Sequence, residues 1–287
     1  MQHPVSPSRL PRLVRLVRPL VLGLGLAALA SCAVTPAPPV SARDVPALRP
    51  GSDYLIGYLP PEALPRSDLF LPPAPQAQPA GSTDEVAARQ AFQHRGSARW
   101  QLAARDANLR FPAAAESFAC ALGFEPTEAQ TPNLYMLLRR TLTDAGRATY
   151  AAKNKFNRTR PFVELKQPSC TPAEEDFLSK DGSYPSGHAA LGWAWALVLA
   201  ELAPSRSDAL FQRGYAFGQS RVRCGVHWQS DVDAGRTVGA ATVAVLHRNP
   251  TFVRQAQLAR AELEKALSQP AVTASPRCLA EQAALVD

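Results

Sequence analysis

The stretch Gly182-Ser183-Tyr184-Pro185-Ser186-Gly187-His188 stands directly before an apolar run that extends from Ala189 to Ala203. The run is long enough for about four helical turns at about 3.6 residues each. We therefore predict that Ser186, Gly187 and His188 lie at the N-terminus of a helix, where free N–H groups and the helix dipole form an anion site. Taken by itself, the stretch is also typical of an ordinary Ser N-cap beside a surface histidine.

Two further segments carry charged residues at fixed spacings. Lys153 is followed after six residues by Arg160-Pro161, and Ser220-Arg221 is followed after five residues by His227 and after three more by Asp231. On a helix, residues four apart share one face, so His227 and Asp231 can form a pair. The set supplies three cations for an oxyanion, a nucleophile with an orienting carboxylate and, with His188, a proton donor.

Together the three segments resemble the three-part signature of the phosphatidic acid phosphatase type 2 and vanadium haloperoxidase superfamily, and no specified position departs from it. The flanking stretches Lys180–Tyr184 and Cys224–Asp231 most resemble the bacterial class A non-specific acid phosphatases. The resemblance runs from about residue 85 to about residue 265. It implies an all-α fold and a metal-independent acid phosphatase that hydrolyses a broad range of phosphomonoesters, among them nucleotides, sugar phosphates and aryl phosphates.

The resemblance also implies a role for each signature residue. His227 is the nucleophile that forms a phosphohistidine, Asp231 orients it, and His188 is the general acid that protonates the leaving group. No cofactor is expected, because cationic side chains do what a metal ion does in other phosphatases. The expected phosphate-binding residues are Lys153, Arg160, Ser186, Gly187 and Arg221.

Two other functions fit parts of the pattern. A vanadate-dependent haloperoxidase uses the same pocket to hold vanadate, so the signature does not separate the two activities, although the class A flanks favour the phosphatase. A non-catalytic periplasmic phosphate-binding lipoprotein is the second alternative, but it does not need His227 and Asp231 one helical turn apart. Class A relatives are often homo-oligomers, so the resemblance implies a possible homo-oligomer.

The N-terminus predicts export. Residues 1–31 contain four arginines and no acid, followed by an apolar run that is too short to span a bilayer, which needs about 20 residues. Leu29-Ala30-Ser31-Cys32 resembles a bacterial lipobox, which predicts a lipid on Cys32 and a periplasmic protein anchored to the outer membrane. The alternative is ordinary cleavage after Ala30, which gives a soluble periplasmic protein with Cys32 as a free thiol.

Loss of this signal lowers the formal net charge from +7 to about +3. No Lys/Arg stripe interleaved with aromatic residues remains, so we expect no nucleic-acid partner. The only membrane contact expected is through the N-terminal lipid, because no transmembrane helix is predicted after the signal.

Domain boundaries follow from composition. Residues 32–80 are rich in proline, which disfavours long helices, and are expected to form a tether followed by an extended segment docked on the surface from about residue 46. Residues 81–287 are expected to form one all-α domain, because strand signals are scarce. The predicted helices cover about 84–106, 112–123, 131–153, 188–202, 204–219, 228–247 and 250–267.

Four cysteines remain beside Cys32, and an even number in an exported protein predicts two disulfide bonds with three possible connectivities. Class A relatives commonly carry cysteines at the places of Cys170 and Cys224, so the resemblance implies the pairs Cys170–Cys224 and Cys120–Cys278. His94 and His247 match nothing in the signature and are expected to be ordinary.

Overall fold

The computed structural model describes residues 37–75, 80–269 and 272–286. The predicted signal peptide (1–31), Cys32 and the first residues of the predicted tether lie outside this part of the chain. Within it there are helices and no strand, apart from one isolated bridge between Ala47 and Leu55. The prediction of an all-α fold is therefore confirmed. In the same residues, no helix combines the length and the apolar character that crossing a membrane requires.

The α-helices fall into a long set that builds the core and a short set that lies in the connections. The helices are α1 Ser67–Phe70, α2 Thr83–Gln93, α3 Ala98–Asp106, α4 Ala113–Glu116, α5 Ala119–Leu122, α6 Pro132–Ala148, α7 Tyr150–Phe156, α8 Pro161–Glu164, α9 Glu175–Leu178, α10 Gly187–Leu202, α11 Ser207–Arg223, α12 Gln229–Leu246, α13 Pro250–Leu267 and α14 Pro276–Val286.

Helix α10 is the centre of the bundle. It is apolar on every side, and a helix of that kind is stable only when other elements surround it. It packs against α6, α11, α12 and α13. Its tryptophan Trp195 is 1% exposed and donates from Nε1 to the carbonyl of Leu138 in α6, at 3.1 Å. The apolar run seen in the sequence therefore becomes the axis around which the long helices assemble.

Two glycines let α12 lie directly against the start of α10. A Cβ atom added to Gly235 would lie 2.5 Å from the carbonyl oxygen of Ser186, and one added to Gly239 would lie 2.3 Å from that of Ala190. Side chains at these positions would force the helices apart, since backbone atoms cannot move aside locally. This close packing brings the first turns of α10 and α12 together.

The predicted helix 84–106 is wrong as one element, because it divides into α2 and α3. Gly96 at the break has a φ of 76°, which glycine adopts readily, and Ser97 caps α3 by accepting from the N–H of Trp100 at 3.1 Å. The predicted helix 112–123 likewise divides into α4 and α5, and 131–153 divides at Thr149 into α6 and α7. Helix α14 was not predicted at all.

The N-terminal segment 37–75 lies against the helices. Tyr58 and Leu59 belong to the main core, and their N–H groups donate to the carboxylate of Asp144 at 2.8 and 3.0 Å. The Tyr58 hydroxyl donates to Gln255 at 2.7 Å. Among its described residues the only α-helix is α1, and side chains of α6 and α13 complete some of its backbone hydrogen bonds.

Candidate active site

The Pro185-Ser186-Gly187-His188 loop stands at the N-terminus of α10, as the sequence predicted. The Ser186 hydroxyl caps the helix by accepting from the N–H of Ala189 at 3.3 Å. The N–H of Ser186 itself donates to the carbonyl of Asp231 at 2.9 Å. The loop is therefore fixed to the first turn of α12, and the positive end of the α10 dipole lies at this loop.

His227 and Asp231 form the expected pair. Asp231 lies in the first turn of α12, is fully buried, and accepts from the N–H of Trp228 at 2.8 Å. His227 Nδ1 lies 3.4 Å from Oδ2 of the same carboxylate. Because a carboxylate only accepts, Nδ1 carries the proton and Nε2 keeps its lone pair. Arg160 Nη1 lies 3.0 Å from that Nε2 and donates to it.

Lys153, in α7, and Arg160, the residue directly before α8, both lie near His227. Both are buried, at 4% and 2% exposure, and both bind Asp181, at 3.3 Å from Lys153 Nζ and 2.9 Å from Arg160 Nη2. Lys153 also donates to the carbonyl of Gly182, and Arg160 donates to that of Val226 at 3.0 Å. These contacts hold the two cations in position beside His227.

Arg221 has the most informative environment of the three cations. It lies in the last turn of α11, it is 1% exposed, and its Nε and Nη1 atoms have no hydrogen-bond partner among the described residues. Burial lowers the pKa of its guanidinium to about 10, so it remains charged at neutral pH. A buried cation with two unused N–H groups is costly unless an anion binds it, and the fork geometry suits a phosphate.

His188 is held by one nitrogen. Its Nε2 lies 3.0 Å from the carbonyl of Ala107, and its ring stacks on Phe217 with 6.2 Å between the centroids. A carbonyl accepts only, so Nε2 carries a proton and Nδ1 is the nitrogen that can exchange one.

Burial and the neighbouring cations control the charge of the site. Burial, followed by Arg160 and Lys153, holds the pKa of His227 well below its usual value, and burial followed by Arg221 does the same for His188. Burial also lowers the pKa of Lys153 to about 8. The two histidines are therefore neutral near pH 7, and the pocket carries a net positive charge that favours an anion.

Three residues that the sequence analysis gave no role support this site. Arg158 donates to Asp231 Oδ1 at 2.6 Å and to Asp84 Oδ2 at 2.8 Å, and Asp84 accepts from the N–H and the hydroxyl of Ser230 at 2.8 and 2.6 Å. Asp181 is the third. No spacing rule connects Asp84 to Arg158, since the two lie 74 residues apart in the chain.

Two disulfide bonds join distant segments, with the pairing that the resemblance implied. Cys170–Cys224 connects the loop before α9 to the end of α11, three residues after Arg221, and Cys120–Cys278 connects α5 to α14. His247 lies outside the site, 3.1 Å from Glu201 on the surface, and His94 ends α2. Within the described residues, no group of three or more His, Cys, Asp or Glu side chains is arranged to hold a metal ion.

Sequence comparison finds relatives that match most of this chain. The PAP2 superfamily model matches residues 133–254. An acid phosphatase of Zymomonas mobilis subsp. mobilis is 42% identical over 221 residues, covering 75% of this chain and 82% of that protein. Non-specific acid phosphatases of Providencia stuartii and Salmonella typhimurium are 42% and 44% identical, covering 79% and 71% of this chain and 94% and 82% of those proteins.

A crystal structure described as the first bacterial vanadium-dependent iodoperoxidase aligns with a TM-score of 0.47 and 17% identity, over 75% of this chain and 63% of that one. The sequence relatives decide the classification, because this chain matches most of their length at more than 40% identity. The chain belongs to the PAP2 superfamily, in the group of the bacterial non-specific acid phosphatases.

Proposed function

We propose that this chain is an acid phosphatase that hydrolyses phosphomonoesters through a phosphohistidine on His227. The observation that carries the proposal is the buried Arg221, whose Nε and Nη1 lack partners among the described residues, in the same site as a neutral His227 oriented by Asp231. Arg221, Lys153 and Arg160 neutralise the oxygens of the phosphoryl group, while the N-terminus of α10 adds the Ser186 hydroxyl and the Gly187 N–H.

In the first step, His227 Nε2 attacks phosphorus and the bond from phosphorus to the alcohol oxygen breaks. The phosphate oxygens take the Arg160 N–H that otherwise donates to Nε2, which frees the lone pair for attack. Asp231 stabilises the imidazolium that forms, because it accepts from Nδ1. His188 gives the proton on Nδ1 to the departing alkoxide and keeps its Nε2–H on the carbonyl of Ala107.

In the second step, water attacks phosphorus, the bond to His227 Nε2 breaks, and the water proton passes to His188 Nδ1. The same nitrogen therefore serves as acid and then as base, which restores the starting state. Burial and Arg221 lower the pKa of His188, whereas a bound phosphate dianion raises it again, so the proton is available when substrate is present.

The test is phosphate release from 4-nitrophenyl phosphate at acid pH, with and without EDTA. We expect turnover that EDTA does not change, and His227→Ala should remove it while far-UV circular dichroism stays the same. His247→Ala is the matched control, because His247 lies on the surface. Acid-labile phosphate trapped on wild type and absent from His227→Ala identifies the intermediate. Near-wild-type activity of His227→Ala, or loss of activity with EDTA, contradicts the proposal.

A second test concerns His188. We expect His188→Asn to lower kcat by about 100- to 10,000-fold, the range of general acid catalysis. The loss should be smaller for 4-nitrophenyl phosphate, whose leaving group needs little protonation, than for an alkyl phosphate. Equal losses on the two substrates would show that His188 does not protonate the leaving group.

We further propose that the protein is exported and anchored to the outer membrane through a lipid on Cys32. The N-terminal sequence supports this proposal, with its basic start, short apolar run and Leu29-Ala30-Ser31-Cys32. Cys32→Ser should move the activity from the membrane fraction to the soluble periplasmic fraction. A soluble wild-type protein that begins at Ser31 is the contrary outcome.

A further inference from the structure

A cavity of about 930 Å³ lies between the N-terminal segment and the helices α6 and α7. Its walls are apolar where the N-terminal segment supplies them, with Leu48, Ile56, Leu64 and three prolines. Ligand pockets in proteins have volumes of about 300 to 1,000 Å³. The cavity is therefore large enough for a small organic molecule.

The charged side chains that line this cavity are all cationic. Four arginines line it and, among the described residues in its wall, there is no aspartate or glutamate. Arg66 pairs with Asp68, and Arg140 donates to the carbonyls of Ile56 and Gly57. The guanidinium groups of the other two, the exposed Arg49 and the half-buried Arg147, form no hydrogen bond or ion pair with any described residue. Two such guanidinium groups at one cavity favour an anionic ligand, and a phosphate is the anion that their fork geometry fits best.

Helix α7 carries residues of both the cavity and the phosphate site. Tyr150 lines it, is 42% exposed, and precedes Lys153 by three residues, so the two side chains share a face of the helix. Burial raises the pKa of the Tyr150 hydroxyl, Asp181 adds to the rise, and Arg160 and Arg49 oppose it, so this hydroxyl lies within electrostatic range of both sites.

A second observation places the cavity wall close to the phosphate-binding loop. The hydroxyl of Thr149 would lie 3.7 Å from a Cβ atom added to Gly187, in the loop at the start of α10. Thr149 stands between Ala148 and Tyr150, which both line the cavity. One short stretch of chain therefore borders the cavity and the phosphate-binding loop at the same time.

We propose that this cavity holds the alcohol part of the substrate, and that the preferred substrates are phosphomonoesters whose alcohol carries a second phosphate on an apolar or aromatic body. The apolar wall contacts the body, and Arg49 and Arg147 bind the second phosphate while the first lies beside His227. This inference rests on the proposed phosphatase function, because it assigns the cavity to the leaving group.

The test compares adenosine 3′,5′-bisphosphate with adenosine 5′-monophosphate as substrates of the full chain. We expect kcat/KM for phosphate release to be about tenfold higher for the bisphosphate, which corresponds to one hydrogen bond between charged groups. In the double variant Arg49→Gln and Arg147→Gln, the ratio should fall toward one. Arg139→Gln is the matched control and should keep the ratio, because Arg139 is in α6 but donates to the carbonyl of Asp53, outside the cavity.

Calorimetric titration of His227→Ala with the same two nucleotides separates this inference from the phosphatase proposal. The bisphosphate should bind about tenfold more tightly than the monophosphate, and the two arginine substitutions should remove that difference. Equal affinities, or a difference that survives both substitutions, would overturn the assignment of the cavity. If the difference in affinity is present and wild type hydrolyses neither nucleotide, the cavity assignment stands and the proposed function is wrong.

Discussion

Arg158 is the buried residue whose replacement should separate orientation of the nucleophile from phosphate binding. It donates to Asp231, Asp84 and Ser230 at 2.6, 2.8 and 2.8 Å, and its side chain is 3% exposed. Arg158→Met leaves two buried carboxylates without their cation. Asp84 keeps its two hydrogen bonds from Ser230, and Asp231 keeps the N–H of Trp228, so neither carboxylate loses every donor.

Removing one partner from a buried ion pair costs about 3–5 kcal/mol, and this range is the expected loss in the free energy of unfolding. The free energy of unfolding of a domain is about 5–15 kcal/mol in total, so the variant should still fold at 25 °C. Urea unfolding followed by circular dichroism measures the loss. Arg158→Lys should recover part of it, because an ammonium group reaches one carboxylate but cannot bridge two.

The pH dependence of kcat/KM gives the result specific to the site. Burial raises the pKa of Asp231, and Arg158 is the main influence that opposes this rise. Without Arg158, Asp231 becomes protonated at a higher pH and no longer orients His227, so the acid limb of the profile should move to higher pH and kcat should fall.

Asp144→Asn is the matched control for this shift. Asp144 is another buried carboxylate, and it holds Tyr58 and Leu59 in the N-terminal segment rather than His227. Its replacement should lower stability and leave the acid limb in place. An acid limb of Arg158→Met that coincides with that of wild type would refute the reasoning.

Three further predictions follow from buried groups. Burial raises the pKa of Asp144 to about 6, so the folded state binds this proton more tightly than the unfolded state, and the unfolding free energy should fall by up to about 3 kcal/mol as pH rises from 4 to 6. This fall should be missing in Asp144→Asn, as a comparison of urea unfolding of wild type and variant across this pH range would show. With the pKa of Lys153 lowered to about 8, the inhibition constant of inorganic phosphate should rise above pH 8, and a constant value from pH 7 to 9 would contradict it. Gly235→Ala and Gly239→Ala should each cost about 1–3 kcal/mol of stability by overpacking, but only Gly235→Ala, which presses on Ser186, should also lower kcat; equal activity of the two variants would be the contrary result.

Features that depend on short spacings could be predicted from the residues alone. The apolar run after His188 predicted the central helix, and the polar residues before it predicted the anion-binding N-terminus, because helix starts follow local rules. The four-residue interval between His227 and Asp231 likewise predicted their contact. The motifs also pointed to the superfamily to which the relatives assign the chain.

Contacts between charged groups from distant parts of the chain could not be predicted in this way, because they depend on how the helices pack. Arg158 and Asp84 are 74 residues apart, and neither belongs to the signature, yet their contact supports Asp231. The helix breaks near Gly96 and Thr149 were also missed, because apolar periodicity continues across them. Which buried charges meet depends on which helix faces lie against each other. The close approach of α12 to α10, which its glycines allow, exists only in the packed bundle. Local periodicity contains no information about such distant pairs, so the arginine-lined cavity and the anchoring of Asp231 emerge only in the folded chain.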